Sequence, residues 1–205
     1  MAWYNRGTAY ADKGDTVRAI ADCTEAICLK SDFSEAYVSR GTAYKRKGDH
    51  DRAIADFTEA IRLKPDDAEA WYSRGTAYGV KGDHDHAIAD FNEAIRLKPD
   101  YAAAWYNRGV IYGKKGDTDR IIANYNEAIR LKPDYAEAYN NRGIVYGKKG
   151  DYDLAIADFT QAIRLNPDYV EAWSNRTKAY VMTGEYAKAK ADRQMSEKLD
   201  KLKKQ

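Results

Sequence analysis

A period of 34 residues, the spacing from Tyr37 to Trp71, runs through the whole chain and limits what it can fold into. The stretch WYSRGTAYGVKGDHDHAIADFNEAIRLKPDY, which begins at Trp71, matches the chain again when it is shifted by that spacing in either direction. Two sets of aromatic residues mark the period: Trp3, Tyr37, Trp71, Trp105, Tyr139 and Trp173, and Tyr10, Tyr44, Tyr78, Tyr112, Tyr146 and Tyr180. A strict period of this length indicates a repeat architecture, in which each unit buries its apolar face only against its neighbours.

Six copies of the repeat use up the 205 residues. The sequence therefore predicts one array over residues 1–205, with repeats at about 1–33, 34–67, 68–101, 102–135, 136–169 and 170–205. Because no stretch is left for a catalytic domain, we expect a protein that is not an enzyme.

Each repeat has the signals of two helices, which we call the A helix and the B helix. In the third repeat, Asp66 and Glu69 form a capping pattern after Pro65 and predict the start of the A helix. Gly82 is expected to end that helix, and Asp83 to cap the B helix. The capping pattern recurs at Asp32/Glu35, Asp134/Glu137 and Asp168/Glu171.

The apolar residues follow helical spacing within each pair of helices. Trp71, Gly75 and Tyr78 share one face of the A helix, and Gly75 lets a neighbouring helix come close. The packed side of the B helix is predicted to hold Ala87, Phe91, Ala94, Ile95 and Leu97.

This spacing, Trp-x3-Gly-x2-Tyr followed by Ala-x3-Phe-x2-Ala and Pro, resembles that of the tetratricopeptide repeat family over essentially the whole chain. The resemblance implies an all-α fold, a right-handed α-solenoid superhelix of about twelve antiparallel helices. It also implies a concave groove lined by the A helices, in which a protein or peptide partner binds.

One departure from the family pattern is systematic. The position before the A-helix glycine, which is replaced by Thr177 in the last repeat, is an arginine in every repeat, where the family usually has an aliphatic residue. An acidic residue or Asn follows sixteen positions later, giving the pairs Arg6/Asp22, Arg40/Asp56, Arg74/Asp90, Arg108/Asn124, Arg142/Asp158 and Arg176/Asp192. We expect a partly buried salt bridge inside each repeat, with the guanidinium stacked on the Tyr rings. The alternative is a row of arginines that reach into the groove for acidic ligands.

The fourth repeat departs from the others at two positions. Ile121 replaces a small Ala and Asn124 replaces the Asp of the predicted bridge. Overpacking and a weakened bridge predict that residues 105–133 form the least stable repeat.

The two ends of the array differ in their residues. The last helix is expected from about Glu185 to Lys204, with polar residues where a further repeat would pack: Lys190, Arg193, Ser196 and Glu197. Polar substitution of this kind closes the end of a solenoid. Three apolar residues of this helix are expected to pack back on the array: Met195, Leu199 and Leu202. The first repeat shows no such device, which indicates truncation or a homo-oligomer formed through that end.

Composition excludes several classes of function. The formal net charge of +2 argues against a nucleic-acid binder that depends on bulk charge. Cys23 and Cys28 point about 140° apart on one helix, which does not suit a disulfide. Cys23 is expected in the core and Cys28 on the surface, as in a reducing compartment. Without an apolar run of signal-peptide or membrane-span length, we expect a cytoplasmic protein with no membrane partner.

No residue set points to catalysis, a metal or a cofactor. His50, His84 and His86 lie in or near the predicted turns and lack the further ligands that a zinc site needs. The carboxylates fall at capping and surface positions, and no phosphate-binding glycine loop occurs. We therefore expect no cofactor.

The candidate binding residues are those expected to lie opposite the packed face of the A helices. They comprise Tyr4, Asn5, Thr8, Val38, Ser39, Thr42, Tyr72, Ser73, Thr76, Tyr106, Asn107, Val110, Asn140, Asn141 and Ile144, and at the same positions of the last repeat Ser174, Asn175 and Lys178. Tyrosine rings give contact area at low entropy cost, and amides can hydrogen-bond an extended peptide. Four basic residues add positive charge near one rim and favour acidic partner segments: Lys45, Arg46, Lys114 and Lys148.

Three functions remain open, in this order. The first is a protein–protein interaction scaffold that holds a peptide or partner helix in the groove. The second is a structural module that assembles end to end. The third is a single-stranded RNA binder, which would need more positive charge. Some family members bind chaperone tails through a clamp of Lys and Asn residues. Here Tyr, Val, Asn or Ser stands where the first Lys of that clamp belongs, so we do not expect a chaperone-tail adaptor.

Overall fold

The computed structural model describes residues 1–203, and over that range the chain forms twelve α-helices and no strand. The helices are α1 (Ala2–Asp12), α2 (Thr16–Leu29), α3 (Ser34–Arg46), α4 (His50–Leu63), α5 (Ala68–Lys81), α6 (His84–Leu97), α7 (Ala102–Lys115), α8 (Thr118–Leu131), α9 (Ala136–Lys149), α10 (Tyr152–Leu165), α11 (Val170–Met182) and α12 (Tyr186–Leu202). The predicted all-α fold is confirmed.

The chain divides into two compact units, Met1–Lys114 and the part from Lys115 onward. In the first unit, α1 pairs with α2, α3 with α4 and α5 with α6, and each pair packs on the next. In the second unit, α9 pairs with α10 and α11 with α12, while α8 packs on α9 and α10 on α11. Successive A helices also touch directly, α1 with α3 and α3 with α5 in one unit and α9 with α11 in the other, so they form a layer of their own.

The turns inside the helix pairs are as expected. Gly82 ends α5 with a φ of 81° and Gly150 ends α9 with a φ of 87°, a left-handed conformation that glycine adopts without strain. Asp83 caps α6, because its carboxylate accepts a hydrogen bond from the backbone N–H of His86 at 3.3 Å. These two devices reverse the chain direction between the helices of a pair.

The start of the A helices differs from the prediction. Asp67, and not Asp66, caps α5 by accepting from the backbone N–H of Glu69 at 3.0 Å and of Ala70 at 3.3 Å. The reason is a turn after α4, in which the backbone N–H of Asp67 bonds the carbonyl of Lys64, so the helix begins one residue later. At α3, α9 and α11 the capping residues are Phe33, Tyr135 and Tyr169, without a side-chain cap.

In the second and third helix pairs, the core lies where the B helix crosses the A-helix glycine. A Cβ built on Gly75 would lie 3.0 Å from Cε1 of Phe91, and one on Gly41 would lie 2.9 Å from the same atom of Phe57. Both rings are fully buried. Glycine is therefore needed here for close approach of the two helices.

The last helix matches its prediction in part. Lys190, Arg193 and Glu197 are exposed as expected, but Ser196 is buried and its hydroxyl donates to the carbonyl of Arg193 at 2.9 Å. Ser196 occupies the position of Ala60 in the second repeat, which is buried in one cluster with Ala70 of the next A helix. Of the three apolar residues expected to pack back, Leu199 is half-buried, whereas Met195 and Leu202 are exposed. Lys204, the expected end of this helix, lies outside the described residues.

Candidate functional site

The predicted arginine–aspartate bridges are present in five repeats. In the third repeat, Nε and Nη2 of Arg74 donate to the two carboxylate oxygens of Asp90, each at 2.8 Å. The same bidentate geometry recurs at Arg6–Asp22, Arg40–Asp56, Arg142–Asp158 and Arg176–Asp192. Four of the five arginine side chains are only 12–18% exposed, whereas Arg6 is 54% exposed.

The guanidinium groups also lie over Tyr rings, as predicted, and closer still to Trp rings, which was not predicted. The Cζ atom of Arg74 lies 4.8 Å from the ring centroid of Trp71 and 5.9 Å from that of Tyr78. In the last repeat, Cζ of Arg176 lies 5.0 Å from the ring of Trp173. Because these guanidinium groups already bind carboxylates and contact rings, they do not reach into the groove for acidic ligands. The structure therefore does not support the alternative of an arginine row.

A third contact of the arginines was missed at the sequence level. Nη1 of Arg74 donates to the hydroxyl of Thr58, on the B helix of the preceding repeat, at 3.0 Å. Equivalent bonds are Arg40–Thr24 at 3.1 Å, Arg108–Asn92 at 2.5 Å, Arg142–Asn126 at 2.6 Å and Arg176–Thr160 at 2.9 Å. A signal existed, since a Thr or Asn recurs two positions after the bridging acid. Each of these arginines therefore ties its own repeat to the one before it.

The arginine of the fourth repeat has a different electrostatic environment. Burial lowers the pKa of Arg108, whereas the hydrogen bond with Asp56 raises the pKa of Arg40. In α8 the side-chain amide of Asn124 donates to the backbone carbonyl of Arg120 at 2.7 Å, inside its own helix. An amide at this position supplies no negative charge, and the weaker bridge of the fourth repeat stays a prediction.

In the first unit, the candidate Tyr72 takes part in the packing of the A-helix layer. Its ring centroid lies 4.8 Å from that of Tyr101 and 5.9 Å from that of Phe91. Its hydroxyl oxygen accepts a hydrogen bond from the amide of Asn107 on the next A helix at 2.8 Å. Burial, together with a hydrogen bond that its hydroxyl donates to the Glu69 carboxylate, raises the pKa of Tyr101. Tyr72 is thus half-buried and fixed in place.

Ser73 does not face outward as predicted, because its side chain is buried and the residue is only 3% exposed. One step along an α-helix turns the side chain by about 100°. That step moves position 73 away from the open surface and into the packed layer. Asn107, at the same position of the next repeat, shows the direction, since its amide contacts Tyr72 of the preceding A helix.

The remaining candidates of the first unit stay at least partly accessible. Half-buried are Tyr4, Thr8, Val38, Ser39, Thr42, Thr76, Tyr106, Asn107 and Val110, and exposed are Asn5 and Lys114. Among the basic residues of the rim, Lys45 is half-buried, with its ammonium 3.3 Å from the hydroxyl of Thr76 and 5.9 Å from the ring of Phe57. Desolvation lowers the pKa of Lys45.

In the second unit, the asparagines of the A helices bond to each other. Asn140 is buried, contrary to the prediction that it faces outward. Its amide nitrogen donates to the side-chain oxygen of Asn141 at 3.2 Å, and its own side-chain oxygen accepts from Asn175 of the next A helix at 3.0 Å. The hydrogen bond with Asn175 holds the Asn140 side chain at the seam between α9 and α11, and not on the open surface.

Two adjoining clefts lie along this seam, and we call them together the α9–α11 groove. The first, of about 320 Å³, is lined by Ile144, Gly147, Lys148, Tyr152, Phe159, Asn175, Lys178, Ala179 and Met182. The second, of about 610 Å³, is lined by Asn140, Asn141, Ile144, Tyr169, Val170, Glu171, Ser174, Asn175, Lys178 and Asp200. The structure therefore brings seven of the predicted residues to one concave site: Asn140, Asn141, Ile144, Lys148, Ser174, Asn175 and Lys178.

Other potential chemistry is accounted for within residues 1–203. No group of three or more His, Cys, Asp or Glu side chains in that range is arranged to hold a metal ion. His86 bonds Asp83 at 2.8 Å and stacks on Tyr78. Cys23 is buried, and burial raises the pKa of its thiol to about 11, while Cys28 is exposed. Among these same residues, no helix has both the length and the apolar character needed to cross a bilayer.

Comparison with family models finds tetratricopeptide repeats along almost the whole chain. Models described as tetratricopeptide repeat or TPR repeat match residues 2–33, 38–102, 91–123, 114–150, 136–169 and 159–191. No curated protein sequence matches the chain at a significant level.

Solved structures with similar folds are numerous. A crystal structure of MamA is 29% identical, covers 78% of this chain and 94% of its own, and superposes with a TM-score of 0.73. YrrB, described as a TPR protein with an unusual peptide-binding site, is 21% identical and covers 86% of this chain and 91% of its own, with a TM-score of 0.70. The pilF protein of Pseudomonas aeruginosa is 13% identical and covers 93% and 87%, with a TM-score of 0.85. With its repeats matched from residue 2 to residue 191 and its helix pairs in place, the chain belongs to the tetratricopeptide repeat family.

Proposed function

We propose that the chain is a non-catalytic scaffold that binds an extended segment or a helix of a protein partner on the surface of its A helices. The fold is one that serves protein–protein interaction. The observation that carries the proposal is the α9–α11 groove, where sequence-predicted residues from two repeats line one concave surface. Concave sites with a largely apolar lining and a few polar groups are typical of binding sites.

The chemistry of this surface supports a peptide as the ligand. The second cleft offers Asn141, Ser174 and Asn175, whose amides and hydroxyl can bond the backbone of an extended chain. The first cleft offers the apolar walls of Ile144 and Met182. YrrB, which has a similar fold, is described as having a peptide-binding site, and this likeness agrees with the proposal.

Site-specific photo-crosslinking in the native cell tests the proposal. Benzoylphenylalanine is placed at Ile144, in the groove, and as a matched control at Leu154, an exposed position on α10 that does not line it. We expect a discrete set of protein adducts from position 144 and none of the same adducts from position 154. Equal adducts at both positions, or none at position 144, would argue against the groove as the binding surface.

Substitutions in the first unit need care, because Tyr72 packs on two rings. Tyr72→Ala would disturb the A-helix layer, so loss of binding in that variant would be ambiguous. Tyr72→Phe keeps the packing and removes only the hydroxyl that bonds Asn107. Tyr106→Ala together with Tyr72→Phe is therefore the cleaner probe of whether the tyrosines contact the partner.

Self-association through the first helix pair is a second candidate. Met1, Trp3 and Val17 of the first repeat are exposed apolar residues on α1, its N-cap and α2. Burial of such side chains between two copies would stabilise a dimer or a longer stack. Sedimentation velocity over a wide concentration range tests this candidate, since a monomer at every concentration would exclude it.

A further inference from the structure

The seam between neighbouring A helices is filled at α3–α5 and α5–α7 in the first unit and open at α9–α11 in the second. In the first unit, Gly79 of α5 faces Ile111 of α7, and a Cβ built on that glycine would lie 3.0 Å from Cδ1 of Ile111. Ile111 packs into one cluster with Ala87 and Phe91. The isoleucine side chain therefore occupies the space that the glycine leaves.

One repeat earlier, a lysine fills the equivalent space. Lys45 stands at the position of Gly79, and its ammonium lies over the ring of Phe57 and bonds the hydroxyl of Thr76 on the next A helix. The seam between α3 and α5 is thus covered by the long side chain of Lys45, which comes from the earlier of the two helices, whereas Ile111 comes from the later one.

In the second unit, both sides of the seam carry small residues. Gly147 and Ala179 stand two repeats after Gly79 and Ile111. A Cβ on Gly147 would meet only the Cβ of Ala155, at 3.9 Å, so nothing from α11 covers it. The first cleft, of about 320 Å³, lies at this point over the buried ring of Phe159. Small-molecule sites have volumes of about 300 to 1,000 Å³. The first cleft is at the lower end of this range, so it has room for a single large side chain.

Two lysines stand at this cleft without a carboxylate. Lys148 and Lys178 line it, and within residues 1–203 neither forms an ion pair. Other lysines of the chain do pair, as Lys81 does with Asp51. Side chains two residues apart in an extended ligand point to the same face. With a bulky apolar side chain in the cleft, the second residue along the ligand therefore lies beside the two unpaired ammonium groups, where a carboxylate gains a charge-assisted hydrogen bond.

We propose that the first cleft of the α9–α11 groove takes one bulky apolar side chain of a partner segment, and that Lys148 and Lys178 bind a carboxylate two residues along the segment. This rests on the proposed function and specifies its ligand as an extended segment with an acidic residue two positions from an apolar one. The far end of the groove carries Glu171 and Asp200. The groove therefore presents a positive end near the cleft and a negative end away from it, which sets the direction of the segment.

Binding of synthetic peptides to the full chain tests the proposal. The probes are three fluorescein-labelled hexapeptides with a Gly-Ser frame and a central Phe-Ser-Glu, Ala-Ser-Glu or Phe-Ser-Gln triplet, measured by anisotropy at low salt. We expect the Phe-Ser-Glu peptide to bind at least about tenfold more tightly than either of the others, because it alone gains both the buried ring and the ion pairs. Equal affinities for the three peptides would overturn the proposal.

Substitutions in the chain test separately which residues recognise the apolar side chain of the ligand and which recognise its carboxylate. Ala179→Ile, which installs the residue that Ile111 contributes in the fourth repeat, should remove the preference for Phe over Ala while the thermal melt stays unchanged. Lys178→Gln should remove the preference for Glu over Gln and keep the preference for Phe. Lys149→Gln, which changes an exposed lysine outside the cleft, is the charge control and should leave all three affinities as they are.

These outcomes separate the inference from the proposed function. If the partner found by crosslinking at position 144 still binds the Ala179→Ile variant with full affinity, the cleft is not the recognition site, although the groove still binds protein. If position 144 gives no adducts and the peptides do not discriminate, both proposals fail. Loss of partner binding in Ala179→Ile with an unchanged melt supports both.

Discussion

Arg40 and Asp56 form a two-point salt bridge, in which Nε of the arginine lies 2.9 Å and Nη2 lies 2.7 Å from the carboxylate oxygens. The remaining nitrogen, Nη1, lies 3.1 Å from the hydroxyl of Thr24 in the preceding repeat. That hydroxyl is held in place by its own bond to the carbonyl of Ile20 at 2.8 Å. One guanidinium therefore couples the helices within a repeat and also joins two repeats.

Replacing Arg40 by Leu should destabilise the chain by about 3–5 kcal/mol, because it leaves the buried carboxylate of Asp56 without its charged partner. Chemical denaturation followed by circular dichroism measures this loss. The matched control is Arg62→Leu, whose arginine pairs with Glu59 on the exposed side of the same repeat. We expect that control to leave the melting temperature unchanged, because exposed pairs of this kind are weak. Equal stability of the two variants would contradict the structural role of the bridge.

Replacing Thr24 by Val tests the bond between repeats alone. The substitution keeps the shape of the side chain and removes the acceptor for Arg40, so we expect a loss of about 0.5–1.5 kcal/mol. Thr8→Val serves as the control, since the Thr8 hydroxyl bonds only a carbonyl of its own helix, that of Asn5. In a double-mutant cycle, Thr24→Val and Arg40→Leu should not be additive. Strict additivity would mean that the two side chains do not interact.

The two thiols should differ sharply in reactivity at pH 8. Cys28 is exposed, whereas Cys23 is 1% exposed and its thiol pKa is raised to about 11 by burial. Because the thiolate is the reactive form, Ellman's reagent should titrate one thiol in the folded chain and two in denaturant. In the folded Cys28→Ser variant the fast reaction should vanish. A second fast thiol in the folded chain would show that Cys23 is accessible.

The fourth repeat should exchange its amide hydrogens faster than the second. Ile121 stands where other repeats carry Ala, and overpacking of this kind costs about 1–3 kcal/mol. Asn124 supplies no charge at the position of the bridging Asp. Hydrogen exchange with mass spectrometry over residues 105–133 and 37–63 compares the two repeats. The double variant Ile121→Ala and Asn124→Asp should slow exchange in the first range, and high protection of 105–133 in the unmodified chain would refute the prediction.

The repeat architecture and the bridges could be predicted from the sequence because both are written as fixed spacings. The offset of sixteen positions from Arg40 to Asp56 places the two residues on facing sides of one helix pair. The same offset backward joins Arg40 to Thr24. It does not predict a bond by itself, because a threonine hydroxyl does not demand a partner as a buried carboxylate does.

The positions of the caps and of the groove residues were harder to predict. Asp66 and Asp67 are adjacent and equally good caps, and only the turn after α4 decides between them. Ser73 and Asn140 look like surface residues by type, yet both are buried at the seam between neighbouring A helices. The clefts depend on which side chain faces Gly147 across that seam, and a pattern within one repeat does not contain this information.

Gly79 and Gly147 stand at one repeat position, and what differs is the residue opposite, Ile111 in one case and Ala179 in the other. The size of the one residue opposite this glycine thus decides whether the surface has a cleft there. Evolution of such proteins can therefore change the bound partner by substitution at that position, while the turns, caps and ion pairs stay the same.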